Sequence, residues 1–133
     1  MTTKTASLLI GFTFLAVGLL GFVPNPLIGD THNAIFHTDA VHNLVHIISG
    51  ALFVLVALAA PERAATFLKV FGAVYFLLGV IGLVTIGSEG MTMLLGFLAI
   101  NGADNYLHLG LGIGIFLASM LPRRRIAGIG SRI

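Results

Sequence analysis

Four long apolar stretches alternate with short polar segments along the chain. The first runs from Ala6 to Val23 without a charge and stops at Pro24-Asn25-Pro26. The second runs from about Ala40 to Ala60 and stops at Pro61, and the third runs from about Ala64 to Ile86 with Lys69 near its start. The fourth runs from about Ala103 to Leu121 and stops at Pro122. A helix needs about 20 apolar residues to cross a hydrocarbon core of about 30 Å, which each stretch approaches. Barrel strands would alternate in polarity and be about half as long. The pattern therefore predicts an all-α membrane protein, a four-transmembrane-helix bundle forming one domain over residues 1–133. Lys4 followed by an apolar run resembles a secretion signal, but no small-x-small cleavage site follows, so the run is read as a retained helix.

Composition narrows the class. The chain has 133 residues, 57% hydrophobic and 9% charged, with a mean hydropathy of +1.05. A soluble domain carries about 25% charged residues, so a water-facing globule is excluded. Four crossings leave no room for a separate soluble domain, and no nucleic-acid partner is expected. With no cysteine, disulfides, thiolate metal sites, iron–sulfur clusters and covalent haem attachment are excluded.

The few charges are sorted by side. Lys4, Arg63, Lys69, Arg123, Arg124, Arg125 and Arg132 all belong to one face, and the loops 24–38 and 87–102 contain no Lys or Arg. The positive-inside rule places both termini and the Arg63 loop in the cytoplasm. The basic tail 122–133 then meets anionic headgroups. His32, His37, His42, His46 and His108 gather on the opposite face with Asp30, Asp39, Glu89 and Asp104.

The two halves of the chain are alike. Gly11, Gly18 and Gly21 align with Gly72, Gly79 and Gly82 at an offset of 61. His42-Asn43-Leu44-Val45-His46 aligns with Asp104-Asn105-Tyr106-Leu107-His108 at an offset of 62, and Gly50 matches Gly112 in that register. Each half is a hairpin starting in the cytoplasm, so the expected relation is a parallel repeat, about 6–60 and 64–121, about an axis along the membrane normal. That relation sets His46 and His108 at equal depth. The glycines are expected to permit close helix packing, and to suit lateral association with a second copy or a larger membrane partner.

Steps of three and four put Asp39, His42, His46, Ser49 and Gly50 on one helix face, and Asn101, Asp104, Asn105, His108 and Gly112 on another. Polar groups inside a membrane need partners and are candidate functional sites. Several readings stay open. His42, His46, Asp104 and His108 offer three imidazoles and a carboxylate, a ligand set for zinc, iron or copper. Asp39, Asn43, Asn101 and Asn105 would then orient the ligands from outside. In the haem alternative, His46 and His108 are axial ligands of a b-type haem, although no basic residue on that face would meet the propionates. In the structural alternative, the same groups form an interhelical hydrogen-bond network of an accessory subunit, with Thr38 and Asp39 capping the second helix and Asn101 with Asp104 opening the fourth. A transmembrane proton relay is disfavoured because the polar stripe does not reach the cytoplasmic side. Ser49 lacks an oxyanion-type loop, so no catalytic residue is assigned. The run Met91–Ile100 is too short to span and is expected to be an interfacial segment or a cap over the cluster, with Phe36, aligned with Leu98, doing the same in the first loop.

These motifs carry a resemblance. The segments His42-Asn43-Leu44-Val45-His46 and Asn101-Gly102-Ala103-Asp104-Asn105-Tyr106-Leu107-His108 resemble those of an uncharacterised bacterial family of small four-helix membrane proteins, a domain of unknown function, over nearly the whole chain. A weaker similarity links the chain to DoxX-like membrane proteins. The resemblance implies the fold and a multi-pass place in the bacterial inner membrane, and it supplies no activity.

Overall fold

The computed structural model describes residues 1–30 and 34–123. His32 and the basic residues Arg124, Arg125 and Arg132 lie outside the described residues. Four helices dominate: α1 (Thr3–Leu20), α2 (Ala40–Ala59), α3 (Ala64–Ile86) and α4 (Gly102–Ala118). A 3-10 turn, Pro61–Arg63, joins α2 to α3. Three helical segments, Thr3–Leu20, Ala40–Ala59 and Pro61–Ile86, are long and apolar enough to cross a membrane. Helix α4 has 17 residues. At a rise of 1.5 Å per residue it extends about 26 Å, a little short of a full core.

Local chemistry sets the ends. Thr2 caps α1 by accepting from the Thr5 N–H, so the helix starts three residues before the apolar run. Asp39 caps α2, its Oδ1 accepting from the His42 N–H at 2.7 Å. Asn101 and Asp104 form a capping box on α4, each side chain accepting from the other's backbone N–H. The Asn101 amide also donates to the Ile35 carbonyl at 2.9 Å, tying the first loop to the start of α4. Asn101→Ala removes both contacts and should cost about 1–2 kcal/mol, read as a lower midpoint in thermal unfolding.

The connections at this end differ from one another. In the first, β1 (Ile28–Gly29) pairs in parallel with β2 (Phe36–His37). In the second, the short apolar run forms a hairpin of β3 (Met91–Leu94) and β4 (Leu98–Asn101). Leu98, Ala99 and Ile100 are buried, while Met91, Met93, Leu95 and Phe97 are exposed. Gly96, at φ +82°, supplies the left-handed turn residue that a side chain would resist.

Helix α1 packs mainly on α2, and α3 on α4. The approach is close wherever glycines face a neighbouring backbone. A methyl group on Gly18 would meet the Asn43 carbonyl oxygen at 2.7 Å, and one on Gly79 would meet the Asn105 carbonyl oxygen at 2.8 Å. Likewise Gly11 faces Gly50, and Gly72 faces Gly112. Gly21 receives the side-chain amide of Asn43, and Gly82 receives that of Asn105. Between the pairs lies an apolar core of Ala6, Phe14, Phe53, Leu68, Tyr75 and Ile115. The helices turn Phe12, Leu19, Leu55, Leu58 and Val84 outward, the surface that contact with lipid chains requires.

A candidate metal centre of three histidines

His46 and His108 each stand six residues into their helices, α2 and α4. At 1.5 Å per residue both Cα atoms lie about 9 Å from the helix start. His42 sits one turn above His46 on the same face, so three imidazoles converge. One ring nitrogen of each lies within 4.8 Å of those of the other two, and all three residues are buried. Ring centroids are 4.9 Å apart for His42 and His46, 5.8 Å for His42 and His108, and 6.4 Å for His46 and His108.

Two of the rings have a fixed tautomer. His42 Nδ1 lies 2.7 Å from the Ala99 carbonyl oxygen of β4. His108 Nδ1 lies 2.7 Å from the Asp104 carbonyl oxygen, one turn back in its own helix. A carbonyl only accepts, so both Nδ1 atoms carry the proton and donate it. Each Nε2 is left with a free lone pair, the arrangement of a metal-binding imidazole whose other nitrogen is held by an outer partner. His46 Nδ1 is buried without a hydrogen-bond partner. Such orphans in a native fold call for an explanation, often a water or ion. Among the described residues, His37 Nδ1, Thr38 Oγ1, Asn43 Oδ1 and Asn105 Nδ2 share that condition near the same end of the molecule.

The other sequence candidates occupy distinct places. The Asp104 carboxylate is turned to the Asn101 N–H, which it accepts at 2.9 Å, rather than toward the imidazoles. Asp39 and Asn101 cap their helices. Asn43 and Asn105 are buried against Gly21 and Gly82 at the helix pairs. His37 lies in β2, with Nε2 3.9 Å from the Asp30 carboxylate.

Three neighbours of the site escaped the sequence reading. Phe14 and Tyr75 stack on each other with centroids 5.2 Å apart and planes 18° apart. Each stands 5.4 Å from one histidine, Phe14 from His46 and Tyr75 from His108. Tyr75 shares the face of Gly72, Gly79 and Gly82 in steps of three and four, which was a usable signal for its burial. The third neighbour, the Ala99 carbonyl, is a backbone group and left none. Below this layer Phe53, Phe67 and Phe71 pack edge-on and tilted at 4.5–4.9 Å, closing the floor with apolar rings.

In comparisons with known proteins, the model of a family described as a domain of unknown function (DUF4383) matches residues 4–121. No curated protein matches the chain, and no solved structure does.

Proposed function

We propose that this chain, which belongs to the DUF4383 family, is a metal-binding membrane protein in which His42, His46 and His108 hold one transition-metal ion. The observation that carries the reading is the convergence of three buried imidazoles within 4.8 Å, with the protons of His42 and His108 directed away onto carbonyl oxygens. Neutral nitrogen ligands suit zinc, copper or iron rather than calcium or magnesium. A small inward movement of the rings would bring the three nitrogens to the 2.0–2.1 Å typical of such bonds. Three protein ligands leave a fourth position open, available to water or to Asp104 if its carboxylate leaves the capping box.

A single ion suits this space better than a haem. The His42 ring lies within 6 Å of both His46 and His108, where a porphyrin bound between those two would extend. The membrane setting follows from the apolar helices. We place α4 across the bilayer with the other three, both termini in the cytoplasm, and the histidines in the outer leaflet. The helix–glycine contacts of α1 with α2 recur between α3 and α4 at the offsets of 61 and 62, which supports two parallel hairpin repeats.

The test is metal analysis with an optical spectrum of the full chain purified in detergent after growth with zinc, copper and iron in turn. About one ion per chain, released by acid because protons compete for the imidazoles, is the expected result. A Soret band would replace this reading with haem. No metal under any supply would leave the histidines as packing and hydrogen-bonding groups of an accessory subunit.

A further inference from the structure

A His–carboxylate pair stands just before the start of α2, at the same end of the molecule as the buried trio. His37 Nε2 and Asp30 Oδ1 are 3.9 Å apart. One ion bonded to both, at about 2.0–2.2 Å each, spans such a separation. The Asp30 side chain is 82% exposed and that of His37 17%, while His42 is 3% exposed. Exposure thus falls stepwise from solvent to the trio. His37 Nδ1 is buried and unpartnered, so among the described side chains the only partner in reach of this ring is Asp30, through Nε2. Strand β2, which carries His37, packs against β4, and the Ala99 carbonyl of β4 holds the His42 ring. The loop 24–38 has no Lys or Arg to oppose a cation.

We propose that Asp30 and His37 form a capture site for a hydrated divalent transition-metal cation, which passes from them to His42 and into the trio. The proposal rests on the reading of His42, His46 and His108 as a metal centre. The carboxylate draws the cation and replaces part of its water, and His37 supplies the first imidazole. Transfer then exchanges one nitrogen ligand for another at each step, with no change in oxidation state and no proton needed.

Cobalt(II) is the probe, because its visible spectrum reports coordination. Stopped-flow mixing of cobalt(II) with the metal-free full chain in detergent gives the loading rate, and excess chelator gives the release rate. Asp30→Asn and His37→Gln should each slow loading about tenfold, the lower end of electrostatic steering effects. Release should slow by the same factor and the equilibrium affinity should stay unchanged, since a residue on the route alters both directions equally. Added salt should slow the wild type and leave Asp30→Asn nearly unaffected. Unchanged loading rates would overturn the capture site, and so would faster release with weaker binding, which marks a structural prop. Asp30 is exposed enough for its variant to fold, so the test survives a failure of the His37 variant. A wild type that binds no cobalt at equilibrium would overturn the metal centre itself, before any rate is compared.

Discussion

His46→Ala is expected to lower metal affinity by more than the roughly 10- to 100-fold that loss of an outer partner costs. His46 makes no hydrogen bond through Nδ1, so truncation breaks no polar network and leaves only a cavity beside Phe14. The variant should therefore stay folded while losing its ion, as read by metal content and by calorimetric titration. His108→Ala should lose affinity similarly. His42→Ala should do so and also free the Ala99 carbonyl, loosening β4. Asp104→Asn is the informative companion. An asparagine oxygen still accepts the Asn101 N–H and preserves the cap, so unchanged loading assigns Asp104 to the helix start alone. A loss comparable to that of a histidine assigns it to the fourth metal position.

The second large effect is steric. Gly82→Leu drives a side chain into the Asn105 amide, which rests directly on the glycine. Overpacking of this kind costs about 1–3 kcal/mol, and here the obstacle is fixed to the backbone of a neighbouring helix. Gly21→Leu should do the same against Asn43. Gly110→Leu is the control, because a methyl there meets nothing within 4 Å. Unfolding midpoints in a denaturing detergent titration should fall for the first two and hold for the third. Equal losses at all three positions would show that the side-chain volume itself, not the helix contact, is at fault.

The helices were legible because apolar runs of this length and their proline stops leave few alternatives. Their ends were less so. Thr2 and Gly21 bound α1 by capping chemistry that a hydropathy pattern passes over, and α4 ends at Ala118, three residues before the apolar run does. The three histidines were found from their spacing and from the alignment of the two halves. Asp104 carried two meanings in the sequence, ligand and capping residue, because spacing of three or four residues serves both. Its carboxylate orientation depends on the Asn101 backbone and could not be read from residue identity. The β3–β4 hairpin was hidden in a run whose apolar residues do not alternate with polar ones, so the period of a strand was absent. With it was hidden the Ala99 carbonyl that sets the His42 tautomer.

The apolar floor of Phe53, Phe67 and Phe71 would make the proposed metal site a cul-de-sac. An ion arriving from the hairpin end would leave by the same door. With the helix starts at the outer edge of the core, as proposed, a depth of about 9 Å in a core of about 30 Å would take it across roughly a third of the field. For a divalent ion at 100 mV that amounts to about 1.5 kcal/mol. The affinity for the ion would then respond about tenfold to the resting voltage, while the apolar floor would bar a current through the protein.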